Sequence, residues 1–177
     1  MLKKESMTYT KQHLIFLTFI AWVSMLGFDF FLHAGLLAKL YLQPSPFLLP
    51  PLASFKLIPL GYLSFLLLSV LLVWLMTRLK LAGWRQGIVF GLKLGGLTWG
   101  AFVLGLLSIS TASFALLFGW FIGQTLESAI AGAVIGSGLE GTRLRRLFGV
   151  VLILLLLSVI TVIILQSLGI VPTTRIS

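Results

Sequence analysis

The sequence contains no cysteine among its 177 residues. This absence excludes disulfide bonds, thiol nucleophiles and thiolate metal ligands, and it removes cysteine usage as an indicator of the redox compartment. The chain also contains no G-x-S-x-G, H-E-x-x-H or Walker sequence. With no nucleophile and base in a recognisable arrangement, an enzyme is the least expected class of function, and we predict no cofactor.

Charged residues are scarce, at 10% of the chain, whereas hydrophobic residues make up 59%. The mean hydropathy of +1.12 lies far outside the range of soluble proteins. Several apolar runs approach or exceed the ~20 residues that a helix needs to cross a bilayer. No alternating ten-residue pattern indicates a membrane barrel. The composition therefore predicts an all-α integral membrane protein.

Five segments have the length of membrane spans. The first apolar run follows basic residues, as in a signal peptide, but it is too long for a signal core, so we expect an uncleaved first span. The five spans would form one transmembrane domain over residues 1–177. Their expected ranges are 14–37, 57–79, 87–108, 113–135 and 147–168.

Basic residues indicate how the spans are oriented. Most lie before the first span, between spans two and three, or between spans four and five: Lys3, Lys4, Lys11, Arg78, Lys80, Arg85, Arg143, Arg145 and Arg146. The positive-inside rule then places the amino terminus in the cytoplasm and the carboxyl terminus outside. We expect a multi-pass protein of the bacterial cytoplasmic membrane.

The net charge of +9 is explained by this orientation, so we expect no nucleic-acid partner. Arg143, Arg145 and Arg146 are expected to contact anionic lipid headgroups, at about 1 kcal/mol each. The nearby "GSGLEG" matches a dinucleotide-binding fingerprint, but it follows a membrane helix rather than a strand. We interpret it as the glycine-rich end of that helix.

The connector between the first two spans reads "QPSPFLLPPLASF", residues 43–55. Its prolines disfavour a helix while its side chains stay apolar. It is expected to be a rigid connector on the membrane surface; the alternative is a lid over an outward-facing cavity.

Spans three and four are joined by a very short uncharged turn near Ser110, which predicts a tight antiparallel hairpin. Residues whose numbers add to about 220 then lie at matching depth, so that Lys93 faces Glu127. Small residues on the facing stripes would let the two backbones approach closely. The residues expected to pack there are Gly96, Gly100, Gly119, Gly123 and Gln124.

Lys93 and Glu127 are predicted to form a buried ion pair. A lone charge near the bilayer centre costs roughly 2.5–3.5 kcal/mol on insertion scales, and pairing offsets much of this. Two alternatives stay open: the pair also contacts a substrate or proton, or Lys93 extends its side chain towards the cytoplasmic surface without a pair.

The first span carries a second polar group in "GFDFFLHAGLL". Asp29 and His33 are four residues apart and share one helix face. Asp29 is expected to bond His33 or to pair with Lys56 at the outer start of span two, in a structural role or as an outward-facing ligand or proton site. We predict no metal site, because two ligands on one helix are too few and His13 lies ~30 Å away along the helix.

Two stretches resemble a family of small bacterial membrane proteins without an assigned activity. The first contains Asp29, Phe30 and His33, similar to that family's aspartate-phenylalanine-x-x-histidine-glycine element, with Ala34 in place of glycine. The second is "GWFIGQTLESAIAGAVIG", similar to its fourth-span pattern. The resemblance supports the architecture of a small multi-span membrane protein, and it does not indicate an activity.

Two classes of function fit these observations best. An accessory or assembly subunit of a membrane complex needs only packing faces and buried polar contacts. A transporter of a small solute, ion or lipid would use the two polar clusters as ligands and would act as a homo-oligomer, because five short spans enclose little volume. The expected partners are the lipid bilayer and other membrane subunits or further copies of the chain.

Overall fold

The computed structural model describes residues 9–43 and 45–172, and the secondary structure over these ranges is entirely helical. It confirms the predicted all-α class. Lys3 and Lys4, two of the basic residues on which the predicted orientation rests, lie outside the described residues. The elements are α1 (Lys11–Phe31), a π-helical turn (Leu32–Leu36), α2 (Ala38–Tyr41), α3 (Pro51–Arg78), α4 (Trp84–Ile109), α5 (Phe114–Leu139) and α6 (Leu144–Ser167).

Within the described ranges, five helical segments are long and apolar enough to cross a membrane, as predicted. Each overlaps one of the expected spans, with ends that differ by a few residues. They are Lys11–Leu36, Leu52–Arg78, Trp84–Ile109, Phe114–Leu139 and Leu144–Ser167.

The proline-rich connector is shorter than predicted, because α3 already begins at Pro51. Proline is tolerated in the first turn of a helix, where the missing N–H has no helical partner in any case. The expected start at residue 57 was therefore wrong by about two turns. Pro44, one of the prolines on which that expectation rested, lies outside the described residues.

Helix α1 is the central element and packs against α3, α5 and α6. Its fully buried side chains include Leu17, Ile20 and Met25, which belong to the same apolar core as residues of the other three helices. The opposite faces of α3 and α6 expose large apolar side chains, as expected for helices in lipid. The fold thus surrounds α1 and places its far end against α5.

Helices α4 and α5 make the most extensive contact in the described chain. Glycine allows it, because a Cβ on Gly87 would lie 1.9 Å from the carbonyl oxygen of Gly132, and one on Gly91 would lie 2.2 Å from that of Ser128. Gly83 N–H also donates to Gly136 O at 2.8 Å. The two backbones therefore touch over several turns.

The glycines predicted for this contact lie elsewhere. A Cβ on Gly96 would be 4.0 Å from Thr125, and one on Gly100 would be 3.5 Å from Phe121, so both sit beside the contact rather than in it. Gly119 and Gly123 instead face Leu37 and Leu32, at the far end of the first helical segment. The predicted stripe on α4 was rotated by about 100° from the observed one, one residue around the helix.

Candidate functional site

The site begins with a carboxyl group on the buried face of α5. Glu127 is fully buried, with no exposed surface. Its Oε1 accepts a hydrogen bond from Gln124 Nε2 at 3.2 Å, on the preceding turn of the same helix. Its Oε2 is buried and has no hydrogen-bond partner among the described residues. One oxygen of this carboxyl group is thus held and the other is available.

Helix α1 contributes the second part of the site at its carboxyl end. His33 Nε2 and Asp29 Oδ1 are 3.1 Å apart, as the spacing of four residues predicted. His33 lies inside the π-helical turn Leu32–Leu36, a distortion that is frequent at functional sites in proteins. The side chains of His33 and Asp29 keep 31% and 14% of their surface exposed, so this part of the site is open.

A hydrogen-bonded chain holds the other side of the histidine ring. Trp120 Nε1 donates to the hydroxyl oxygen of Tyr41 at 2.5 Å, and Tyr41 bonds in turn to His33 Nδ1. Asp29 Oδ1 faces Nε2 and accepts the N–H of the neutral ring, so Nδ1 is an acceptor and Tyr41 donates its hydroxyl proton to it. His33 then carries its own proton on Nε2, directed at Asp29.

Tyr41 lies beyond the first span, in the short helix α2. Burial raises the pKa of its hydroxyl, and the hydrogen bond from Trp120 acts in the opposite direction and is outweighed. The raised pKa keeps Tyr41 neutral at physiological pH. It therefore retains the proton that orients the imidazole of His33.

Asp29, His33 and Glu127 meet at one point, and we call them the acid–histidine cluster. One ligand atom from each residue lies within 4.8 Å of the other two. The cluster joins two helices that are about a hundred residues apart in the sequence. An ionised carboxylate that is fully buried with an unpartnered oxygen is strongly unfavourable, so Glu127 requires a proton or a bound cation.

The predicted ion pair of Lys93 with Glu127 is not formed. Lys93 is exposed on the outer face of α4, whereas Glu127 is buried and directed at α1. The predicted register of α4 against α5 is correct, because residues in contact, such as Gly91 and Ser128, have numbers that add to about 220. The error lay in the rotation of α4, because the glycines at 87, 91 and 95 form a tighter contact and turn Lys93 outward.

Lys56 does not join the outer polar group either. It is exposed on α3, and within the described chain the contact of His33 with Asp29 is the sole one at ion-pair distance. Gln124 is buried as expected, and its side-chain amide donates to Glu127 Oε1. Arg143, Arg145 and Arg146 are exposed at the start of α6, a position open to lipid headgroups.

Sequence reasoning missed three features of the site: the association of Glu127 with α1, and the roles of Tyr41 and Trp120. Sequence reasoning treated Asp29 with His33 and Lys93 with Glu127 as two separate groups, because the way α1 crosses α5 is set by three-dimensional packing and not by helical spacing. The signal that was available is the stretch from Asp29 to Tyr41, in which Asp29, His33 and Tyr41 are spaced by four and then by eight residues in a largely apolar segment.

Comparisons of the chain with protein families, with curated proteins and with solved structures find no match. The resemblance carried by the aspartate-histidine element therefore stays a prediction.

Proposed function

We propose that this protein is a multi-pass membrane protein that binds a small cation at the acid–histidine cluster and transports it. In this proposal the amino terminus is cytoplasmic and the carboxyl terminus is outside, with α4 and α5 as a tight glycine-lined hairpin. The placement of exposed basic residues between α3 and α4 and at the start of α6 supports this orientation.

The observation that carries the proposal is the free carboxyl oxygen of Glu127. Polar and ionisable side chains inside membrane spans are expensive, and they usually mark ion pathways or proton relays. Among the described residues no lysine or arginine pairs with Glu127, which lies beside Asp29 and a histidine whose ring is hydrogen-bonded on both sides. Such a set of groups attracts a positive ion and has no evident role in packing.

Access to the cluster is graded. His33 is the most exposed member, Asp29 is less exposed, and Glu127 has no exposed surface. In the proposed orientation the carboxyl end of α1 faces outside, so a cation reaches His33 and Asp29 first and Glu127 last. Release to the other side requires a movement of α5 relative to α1, as in alternating access.

The test is cation flux in vesicles that contain the purified protein. Trapped indicators for protons and for divalent metal ions report uptake when a gradient is imposed across the vesicle membrane. We expect saturable uptake that falls at least tenfold in Asp29→Asn and in Glu127→Gln. Glu140→Gln is the matched control, since Glu140 is an exposed acid at the end of α5. Equal flux in the wild type, in both cluster variants and in empty vesicles would refute the proposal.

A second candidate function, an accessory subunit of a membrane complex, is favoured by Lys93. Lys93 is exposed about 13 Å into α4, counted from Trp84 at 1.5 Å per residue, between the exposed apolar side chains of Val89 and Leu97. The described acids of this chain lie elsewhere: at the cluster and at Glu140. An acidic side chain in a span of another subunit would offset the cost of this charge.

This candidate is tested by purifying the wild type and Lys93→Gln from native membranes in a mild detergent. If Lys93 binds an acidic partner, a second membrane protein copurifies in fixed ratio with the wild type and is lost from the variant. Arg145→Gln serves as the control for a general loss of positive charge. The same small set of proteins with all three chains would contradict this role of Lys93.

A further inference from the structure

We infer that the acid–histidine cluster is a binding site for a divalent first-row transition-metal ion, with Asp29, His33 and Glu127 as its protein ligands. This inference rests on the proposed cation transport, and it names the class of cation.

The spacing of the ligand atoms suits a metal ion. Two ligands about 2.0–2.2 Å from one metal ion, at tetrahedral to octahedral angles, lie about 3.0–3.5 Å apart. The distance of 3.1 Å between His33 Nε2 and Asp29 Oδ1 falls in this range. The atom from Glu127 is within 4.8 Å of both, so a small side-chain adjustment closes the set.

The types of ligand select the class of ion. Calcium and magnesium ions favour sites built from oxygen atoms, with six or more ligands for calcium. An imidazole nitrogen together with carboxylate oxygens suits zinc, manganese, iron or cobalt ions. The sequence has no cysteine, so no thiolate favours copper(I).

The groups behind the ligands are those that metal sites require. A histidine that binds a metal ion through one nitrogen donates its other N–H to a neighbouring acceptor, which fixes the ring. Tyr41 is bonded to His33 Nδ1, and its oxygen can accept this N–H once Nε2 binds the ion. Gln124 holds the first oxygen of Glu127 at 3.2 Å and leaves the second, which has no partner, for the ion.

The balance of charge also favours a divalent ion. The carboxylates of Asp29 and Glu127 carry two negative charges when ionised, and a divalent cation neutralises both. The loaded site then has no net charge, which lowers the cost of burying it in the bilayer. Lys93 is turned outward, so no basic side chain of α4 competes for the two carboxylates.

The first test is equilibrium dialysis of the purified full-length protein against zinc, manganese or cobalt ions, followed by elemental analysis. The purification tag must lack histidine. We expect one ion per chain, with an affinity at least tenfold lower in Asp29→Asn, His33→Gln and Glu127→Gln. Glu140→Gln and His13→Gln are matched controls that should bind as the wild type does, because neither residue touches the cluster.

A spectroscopic measurement keeps the inference testable if a ligand variant folds poorly. Cobalt(II) bound to nitrogen and oxygen ligands has visible absorption bands that report its coordination. Tyr41→Phe leaves all three ligands in place and removes the hydroxyl group that would accept from His33 Nδ1–H and that accepts from Trp120 Nε1. We expect it to bind cobalt(II) with unchanged stoichiometry, with shifted bands and with an affinity about tenfold lower.

The outcomes separate this inference from the proposed function. Stoichiometric metal binding without flux would uphold the site and overturn transport. Proton flux that depends on Glu127, without stoichiometric binding of zinc, manganese or cobalt ions, would uphold cation transport and overturn the metal site. Metal binding that persists unchanged in Glu127→Gln would also overturn the inference, because the third ligand would then have no part in it.

Discussion

Glu127 has the least ordinary surroundings of any side chain in the described chain. It combines full burial, one amide partner and one free oxygen. A structural acid in a membrane span is normally paired with a basic group, and Glu127 faces Asp29 and His33 instead. The buried carboxyl group of Glu127 therefore needs a proton or another cation to offset its negative charge.

Replacement of Glu127 distinguishes a binding group from a packing group. Glu127→Gln keeps the shape and an oxygen that accepts from Gln124, so we expect a melting temperature within a few degrees of the wild type. Glu127→Ala leaves the Gln124 amide unpaired and a cavity behind, and it should destabilise the protein by about 1–3 kcal/mol. Thermal unfolding in detergent measures both. Equal destabilisation by the two variants would mean that the carboxylate itself supports the fold.

The hydrogen-bonded chain from Trp120 predicts one tautomer of His33. Because Tyr41 donates to Nδ1, the neutral ring in the metal-free protein should carry its proton on Nε2. Nitrogen NMR shifts of labelled histidine report the tautomer, and His13 provides an internal comparison. Tyr41→Phe should abolish the preference. A wild-type ring protonated on Nδ1 would contradict the proposed direction of this chain.

At the scale of elements, the contact of α4 with α5 and the π-helical turn of the first segment position the site. Glycines of α5 take part in both. On one face of α5 they allow the backbone of α4 to approach closely, and on another face they leave room for the side chains of Leu32 and Leu37. Leu32, the first residue of the π-helical turn, packs over Gly123, one turn before Glu127. Glycine packing thus sets the distance between His33 and Glu127.

Alanine at two glycines of α4 should have opposite effects on stability. Gly87→Ala forces its Cβ against Gly132 O, so it should cost about 1–3 kcal/mol or more through overpacking. Gly105 is exposed and a Cβ there meets nothing within 4 Å, so Gly105→Ala should gain about 0.5–1 kcal/mol of helix propensity. Unfolding measurements on both variants check this, and a stabilising Gly87→Ala would show that the helices do not touch there.

The close contact of Leu32 with Gly123 predicts an effect of Gly123 substitution on metal binding. A Cβ on Gly123 would lie 2.2 Å from Leu32 Cδ2, so Gly123→Ala should displace Leu32 and with it the turn that holds His33. We expect weaker metal binding in Gly123→Ala and partial recovery when Leu32→Ala is added, since this removes the colliding atoms. Cobalt(II) titration of the two variants measures the effect. A double variant weaker than Gly123→Ala alone would argue against this positioning.

At the scale of the whole molecule, five described helices long and apolar enough to span a membrane could be predicted, because long apolar runs have one stable solution in lipid. The depth register of spans three and four also followed, since the turn between them is too short to allow a slip. The face of α4 that meets α5 could not be predicted. Glycines at 87, 91 and 95 form one stripe and those at 96 and 100 form another, and only three-dimensional packing decides between them. The approach of Asp29 to Glu127 depends on how α1 crosses α5, and no local pattern encodes that.

The orientation can be tested without a background signal, because the chain has no cysteine. Thr111→Cys lies in the segment between α4 and α5, and Thr142→Cys lies between α5 and α6; both positions are exposed. In intact cells a membrane-impermeant thiol reagent should label Thr111→Cys and spare Thr142→Cys until the membrane is broken. The reverse pattern would place the amino terminus outside.

The most direct measurement is a calorimetric titration of the purified protein with zinc ions, run side by side on the wild type and on Glu127→Gln. The cluster of Asp29, His33 and Glu127 predicts one ion per chain for the wild type, and for the variant an affinity at least tenfold lower at an unchanged melting temperature. No heat of binding in the wild type, or the same affinity in both proteins, would contradict a metal site at this point.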